Sequence, residues 1–208
     1  MRSFRKGPSA RRLLSLVGAT LIVSANAFAA GSEPMLTAGL TSQPIGHFEF
    51  CKTHLAECSI RTPDKGVQSL SDTVLQEIEA INMEVNHSVR PMNDVDIYGK
   101  DEVWAYPDDS VGDCEDYVLE KRRRLLGKGI SLSNLLITVV RKQDGEGHAV
   151  LTVRTDHGDY ILDNLNDSVK PWLETGYRFL KRQASNHTGR WVTIRDSQPA
   201  APLVGAVR

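Results

Sequence analysis

Residues 112 to 117 read Gly112-Asp113-Cys114-Glu115-Asp116-Tyr117, a cysteine set among three acidic residues. Aspartate is a favoured N-cap residue, so the stretch predicts a helix that starts directly after Asp113. Apolar residues follow at positions that suit a helix, and glycine at position 127 is a common kind of helix end. Cys114 therefore falls in the first turn of the predicted helix.

A cysteine in the first turn of a helix is a candidate nucleophile. The partial positive charge at a helix N-terminus favours the thiolate over the thiol, and unpaired backbone N–H groups there can receive a developing oxyanion. The alternative is a buried structural cysteine. The charges on either side of Cys114 make it a poor core residue, which favours reactivity.

A thiol enzyme also needs a proton shuttle and a group that fixes the imidazole tautomer. His148 lies in Gly-His-Ala-Val-Leu-Thr-Val and Asp163 in Asp-Tyr-Ile-Leu-Asp-Asn, both in strand-like segments. The other histidines compete poorly, because they fall in turns, at a helix end or in irregular segments. We therefore predict a relay of Cys114, His148 and Asp163, although Asp163 alone could simply close a strand.

Three strands are predicted after the helix, at 135–140, 149–154 and 160–164, which form an antiparallel meander and indicate an α+β fold. If Asp156 and His157 form a two-residue turn, His148 and Asp163 become diagonal neighbours on one face of the sheet. A register slip of one residue would place them on opposite faces and break the relay.

A long helix is predicted from Ser69 to Val89, capped by Ser71 or Asp72 and carrying an apolar stripe on one face. Asn82 and Asn86 lie four residues apart and so share a face of this helix. A solvated polar stripe is the favoured interpretation of this pair, and a loop-tethering or ligand role is the alternative.

The remaining segments of the chain carry weaker signals. Residues 90–111 form a long loop in which Trp104 and Tyr106 either line a cleft or pack beneath the loop. Residues 166–187 suggest a crossover of loop and short helix, residues 189–195 a last strand and residues 196–208 a frayed tail. Residues 30–46 suggest an irregular leader, and residues 47–66 a loop closed by a Cys51–Cys58 disulfide, which would leave Cys114 unpaired.

The first 29 residues have the pattern of a secretory signal peptide: five basic residues, an apolar run and the small-residue signal Ala27-Phe28-Ala29. The apolar run is short for a membrane span, so an uncleaved anchor is the less favoured alternative. Removing this segment lowers the formal net charge from −1 to −6, because it contains five positive charges and no acid. The predicted organisation is a signal peptide at 1–29, a leader and disulfide loop at 30–68, a catalytic domain at 69–195 and a tail at 196–208.

Several of these motifs together resemble the bacterial transglutaminase-like cysteine proteinases. The resemblance rests on Val103-Trp104-Ala105-Tyr106-Pro107, Gly112 to Tyr117, Gly147-His148-Ala149-Val150 and Leu162-Asp163-Asn164. It extends to Asn82, Asn86, Tyr98-Gly99, Pro171-Trp172 and Gly176-Tyr177, and covers about residues 69–195.

This resemblance implies a papain-like/transglutaminase core, a periplasmic or secreted location, and Cys114, His148 and Asp163 as the triad. It implies a protein substrate such as a surface adhesin, and an inner-membrane regulatory protein as partner. One branch of the family binds calcium beside the cysteine, so Asp113, Glu115 and Asp116 become candidate Ca²⁺ ligands, with oxygen atoms that suit this cation. The alternative is an N-cap at Asp113 and favourable first-turn charges at Glu115 and Asp116.

The function predicted from the sequence is therefore a periplasmic cysteine peptidase that works through a thioester. Two alternatives stay open: an acyltransferase or deamidase with the same triad, and an inactive binding or regulatory module. The sequence has no P-loop, dinucleotide glycine fingerprint or paired-cysteine zinc motif, and no basic patch for nucleic acid.

Overall fold

The computed structural model describes Met1 and residues 33–195. The predicted signal peptide, apart from Met1, and the predicted tail at 196–208 lie outside the described residues. In the part of the chain that is described, no helix is both long enough and apolar enough to cross a membrane.

A seven-stranded antiparallel sheet dominates residues 33–195, with the strand order β1-β9-β8-β4-β5-β6-β7. Its strands are β1 (Thr37–Thr41), β4 (Leu135–Arg141), β5 (Gly147–Thr155), β6 (Gly158–Asp163), β7 (Asn166–Pro171), β8 (Arg178–Ala184) and β9 (His187–Ile194). Two shorter strands, β2 (Arg90–Pro91) and β3 (Val111–Gly112), form a separate parallel pair.

Five α-helices accompany the sheet among the described residues: α1 (Ile45–Thr53), α2 (Leu55–Cys58), α3 (Asp72–Ser88), α4 (Asp94–Tyr98) and α5 (Cys114–Gly127). Single 3₁₀ turns occur at Leu132–Asn134 and Trp172–Glu174. The main core joins apolar residues of α3 and α5 to those of β4, β5 and β6, so both long helices lie against the sheet. The α+β prediction is confirmed.

Helix α3 follows the sequence prediction in its extent and its buried face. The Ser71 hydroxyl accepts a hydrogen bond from the Val74 N–H at 3.3 Å, and so caps the helix. The favoured interpretation of Asn82 and Asn86 is wrong. Asn82 is fully buried and donates to the carbonyls of Asn166 and Asp167 at 2.9 Å each, and Asn86 donates to the carbonyl of Asp163 at 3.0 Å. These two side chains tether the β6–β7 turn to the helix.

The hairpin of β5 and β6 has the predicted register. Leu151 pairs with Leu162 and Thr155 pairs with Gly158, so Asp156 and His157 form the two-residue turn. This register keeps residue 148 and residue 163 on the same face of the sheet.

Two stretches predicted to be largely irregular are regular, and both predictions are wrong. Residues 37–58 contain β1, α1 and α2, where a leader and a loop were expected. Residues 166–184 contain β7 and β8, where a crossover was expected. Strands β1 and β7 are the two edges of the sheet and have mostly polar or exposed side chains, so neither shows the alternation that marks a half-buried strand.

The three cysteines divide as predicted. A disulfide joins Cys51 in α1 to Cys58 at the end of α2, and Cys114 is free.

Candidate active site

Cys114 is the first residue of α5, and Asp113 is its N-cap. A carboxylate oxygen of Asp116 accepts the Asp113 N–H at 3.3 Å, which stabilises the start of the helix. Cys114 is half-buried and lines two adjoining cavities of about 650 Å³ and 420 Å³. The residues common to both cavities are Glu102, Cys114, Glu115, Gly147 and His148.

His148 and Asp163 are directly paired. His148 Nε2 lies 2.8 Å from Asp163 Oδ1, and both side chains are buried. The Tyr177 hydroxyl donates to Asp163 Oδ2 at 2.6 Å, and the Leu165 N–H donates to Oδ1 at 3.0 Å. Burial disfavours the Asp163 carboxylate, but hydrogen bonds from His148 and Tyr177 and the charge of His148 outweigh this, so its pKa is lowered.

Cys114 and His148 face the same cavities, and the structure brings all three predicted residues into one region. Because His148 Nε2 is engaged with Asp163, Nδ1 is the ring nitrogen left to exchange a proton with the cysteine. The Cys114 thiol itself donates to Glu115 Oε2 at 3.0 Å, its one side-chain hydrogen bond in the described part of the chain.

The electrostatic setting of Cys114 disfavours its thiolate. Burial raises the pKa of the thiol well above its usual value, and the charge and hydrogen bond of Glu115 raise it further. A hydrogen bond from the Ala149 backbone opposes this only in part. Burial and the adjacent Glu115 carboxylate therefore favour the thiol at this helix start.

The pKa values of two acidic residues beside Cys114 are also raised. Burial and then the charge of Asp113 raise the pKa of Glu115 to about 9. Burial raises the pKa of Asp116 to about 7, opposed by the Ala105 N–H and reinforced by the charges of Asp113 and Asp94. Carboxylates are thus crowded together beside Cys114.

The predicted ligands Asp113, Glu115 and Asp116 do not form one group. Ligand atoms of Asp94, Asp113 and Asp116 lie within 4.8 Å of one another, whereas Glu115 groups with Asp113 and Cys114. Asp94 was missed by the sequence analysis. It lies in the first turn of α4, and its pKa is raised to about 6, chiefly by burial.

The cluster of Asp94, Asp113 and Asp116 contains carboxylate oxygens that have no hydrogen-bond partner in the described chain. Oδ1 of Asp94 and Oδ1 of Asp113 are buried and have no hydrogen-bond partner in the described chain. Buried polar atoms are normally paired, so two unpaired carboxylate oxygens on residues of this cluster fit a bound cation with a preference for oxygen.

Trp104 and Tyr106 lie in different parts of the structure. Trp104 is 6% exposed, lines the smaller cavity with Cys114, and has an indole N–H without a partner among residues 33–195. Tyr106 lies away from Cys114, where its hydroxyl donates to Glu57 and the guanidinium of Arg123 stacks 4.5 Å from its ring centroid. Of the two, Trp104 takes the predicted place beside the cysteine.

Three solved structures are similar to this chain, and the first of them supports the fold. Calcium-bound LapG of Legionella pneumophila has 24% identity and a TM-score of 0.50, with 62% of this chain and 75% of that chain covered. Another LapG structure of L. pneumophila has 25% identity, a TM-score of 0.49, and coverage of 60% and 70%. EGTA-treated L. pneumophila LapG has 24% identity, a TM-score of 0.48, and coverage of 59% and 71%. No curated protein gives a significant match.

The family comparison extends over most of the chain. The model of the bacterial transglutaminase-like cysteine proteinases matches residues 37–199, a span that starts in β1 and includes both long helices and the whole sheet. The resemblance seen in the sequence is therefore confirmed. The chain belongs to the bacterial transglutaminase-like cysteine proteinase family and is a cysteine peptidase.

Proposed function

We propose that this cysteine peptidase acts through a triad of Cys114, His148 and Asp163, in the periplasm, on a peptide bond of an exported or surface protein such as an adhesin. The observation that carries the proposal is the 2.8 Å pairing of His148 with Asp163 in a cavity that Cys114 also lines. The predicted signal peptide and the Cys51–Cys58 disulfide support an oxidising compartment.

The chemistry follows from the roles of the three side chains. His148 Nδ1 takes the thiol proton, and Cys114 Sγ forms a bond to the substrate carbonyl carbon. The C–N bond then breaks as His148 returns the proton to the departing amine, which leaves a thioester on Cys114. Water, deprotonated by His148, attacks the thioester and releases the acid and the free thiol. Asp163 keeps the imidazole oriented and stabilises its charged form.

The oxyanion formed in both steps needs donors placed in advance. The backbone N–H of Cys114 lies at the start of α5, and Trp104, whose buried indole N–H has no partner in the described chain, lines the same cavity. We assign these two groups to the oxyanion.

Gly46→Ala tests the contribution of Trp104. A Cβ at residue 46 would overlap the indole ring and crowd the Glu102 carbonyl, so the ring must shift. Loss of one oxyanion donor lowers kcat about 100-fold in well-studied enzymes, and we expect a fall of roughly tenfold or more for a displaced one. Gly39→Ala is the matched control, because a Cβ there meets nothing within 4 Å. Equal kcat values for the two variants would remove Trp104 from the mechanism.

The residues beside Cys114 fit a calcium ion, which the similarity to a calcium-bound LapG also suggests. Asp94, Asp113 and Asp116 would hold it, with Glu115 on the cysteine side of the group. When bound, calcium would supply positive charge that offsets these carboxylates and favours the Cys114 thiolate.

Alkylation of Cys114 by iodoacetamide tests the triad without a known substrate. The other two cysteines are disulfide-bonded, so Cys114 is the reactive thiol of the mature protein. We expect slow labelling near neutral pH in EGTA, because the pKa of the thiol is raised, and faster labelling in calcium. His148→Ala should slow the reaction in calcium, whereas His157→Ala, in the exposed turn, should not. An ordinary thiol profile in both buffers, unchanged in His148→Ala, would contradict the triad.

A further inference from the structure

We propose that Tyr177 is a positioning residue that fixes the Asp163 carboxylate and, through it, the ring of His148. This inference rests on the proposed triad and adds a fourth side chain to it. Tyr177 lies directly before β8, in the segment where the sequence predicted only a crossover.

Asp163 is 5% exposed, and both of its carboxylate oxygens accept hydrogen bonds. Its Oδ1 accepts from His148 and from the Leu165 N–H, and its Oδ2 accepts from the Tyr177 hydroxyl at 2.6 Å. Among the described residues no other group donates to Oδ2. Without the hydroxyl, the buried Oδ2 would lose its partner, and the carboxylate would be held through Oδ1 alone.

Tyr177 also contacts His148 through its ring. The Tyr177 and His148 rings meet edge to face, with centroids 5.7 Å apart and an interplanar angle of 71°. Tyr177 therefore touches both members of the pair, one through its hydroxyl and the other through its ring. This contact restricts the rotation that would turn Nδ1 away from Cys114.

The local backbone explains how Tyr177 reaches this place. A 3₁₀ turn ends at Glu174, and Gly176 then adopts a positive φ of 73°, which a residue with a Cβ rarely accepts. The chain next enters β8, which pairs with β4 in the interior of the sheet. The tyrosine is thus fixed at its C-terminal side by the start of an interior strand.

Other charged groups also act on Asp163, but differently. The fully buried Lys121 of α5 interacts with Asp163 and Asp167 through charge, and its ammonium has no hydrogen-bond partner among residues 33–195. A charge interaction of this kind favours the ionised carboxylate without fixing its rotation. The hydrogen bond from the Tyr177 hydroxyl is directional and therefore does restrict the rotation of the carboxylate.

Tyr177→Phe is the test, because it removes the hydroxyl and keeps the ring. We expect kcat to fall about tenfold while KM changes less than about twofold, as for the loss of one hydrogen bond to a charged group that acts after substrate binding. Tyr160→Phe is the matched control: Tyr160 lies on β6 but, by strand alternation, on the opposite face from Asp163. It should leave both constants unchanged.

A second readout does not depend on turnover. In full-length mature protein carrying Cys114→Ala, the ¹⁵N shifts of the His148 ring should report one tautomer, protonated at Nε2. Adding Tyr177→Phe should move these shifts toward a mixture of tautomers, and adding Tyr160→Phe should not. The Tyr177 ring protons should also show contacts with the His148 ring in the Cys114→Ala protein, and their absence would overturn the proposal without any tyrosine variant.

The two proposals fail in different ways. Unchanged kcat and unchanged ¹⁵N shifts in Tyr177→Phe would make the tyrosine a packing residue and leave the triad standing. Hydrolysis that persists in Cys114→Ala would instead refute the triad, whatever the shifts show.

Discussion

Cys114→Ala is expected to abolish peptide-bond hydrolysis and leave the fold intact. The variant removes the atom that forms the thioester, and we expect kcat to fall by at least about 10⁴-fold, as it does when the nucleophile of a triad is deleted. Alanine suits the first turn of a helix, and Cys114 is only half-buried, so the cost in stability should be small. Cleavage of a quenched-fluorescence peptide library, with products identified by mass spectrometry, measures the effect.

The same assay carries its own controls. His148→Ala should be nearly as inactive as Cys114→Ala, since residues that act as a unit are not additive. His157→Ala should retain full activity, because His157 lies in the exposed β5–β6 turn. Analysis of products formed with an added amine shows whether water or the amine takes the acyl group. If Cys114→Ala keeps more than about a hundredth of the wild-type kcat, another nucleophile must exist.

Calcium is expected to raise the midpoint of thermal unfolding and to weaken its dependence on pH. The pKa values of Asp94, Asp116 and Glu115 are raised to about 6, 7 and 9, whereas free carboxyl groups titrate near about 4. The folded protein then binds more protons than the unfolded chain between about pH 4 and pH 9, so its free energy of unfolding falls as pH rises through this range. A bound cation would hold the same groups ionised and oppose this fall.

The size of the calcium effect can be estimated. At a calcium concentration 1,000 times the dissociation constant the folded state gains about 4 kcal/mol, which corresponds to a rise of roughly 8–16 °C in Tm. Differential scanning calorimetry in calcium and in EGTA, from pH 5 to pH 9, measures it. Asp94→Asn should remove most of the calcium-dependent rise, and Asp109→Asn, an exposed residue outside the carboxylate group, should not. The same Tm in both buffers would exclude a calcium site at these carboxylates.

The parts of the site that the sequence predicted are those built from local signals. An N-cap aspartate and a terminal glycine define α5, and the two-residue turn at Asp156-His157 sets the register that keeps His148 and Asp163 on one face. These features depend on neighbours a few residues away, so the residue types alone carry them. The family resemblance then gave the same three residues a shared role.

The parts that the sequence missed depend on contacts between distant segments. Asp94 joins Asp113 and Asp116 although about twenty residues separate them, and no spacing rule links them in advance. The largest cause of the raised pKa of Cys114 is burial, which is set by the packing of the whole domain, and the flanking Glu115 adds to it. Strand β8 was missed because its sequence, Arg-Phe-Leu-Lys-Arg-Gln-Ala, is strongly basic and lacks a clear period of two.

The side-chain amides of Asn82 and Asn86 on α3 restrict the movement of the turn that carries Asp163. The Asn86 amide donates to the Asp163 carbonyl, and the fully buried Asn82 amide donates to the carbonyls of Asn166 and Asp167. Outward movement of the turn would leave the fully buried amide of Asn82 without its two acceptors, and this opposes such movement. We therefore expect local opening of this turn to be rare, and slow exchange of its amide protons would be the measurable consequence. The acid of the proposed relay is therefore held in a fixed position by α3. The proposed nucleophile lies instead at a helix start beside carboxylates, where a bound cation would change its reactivity.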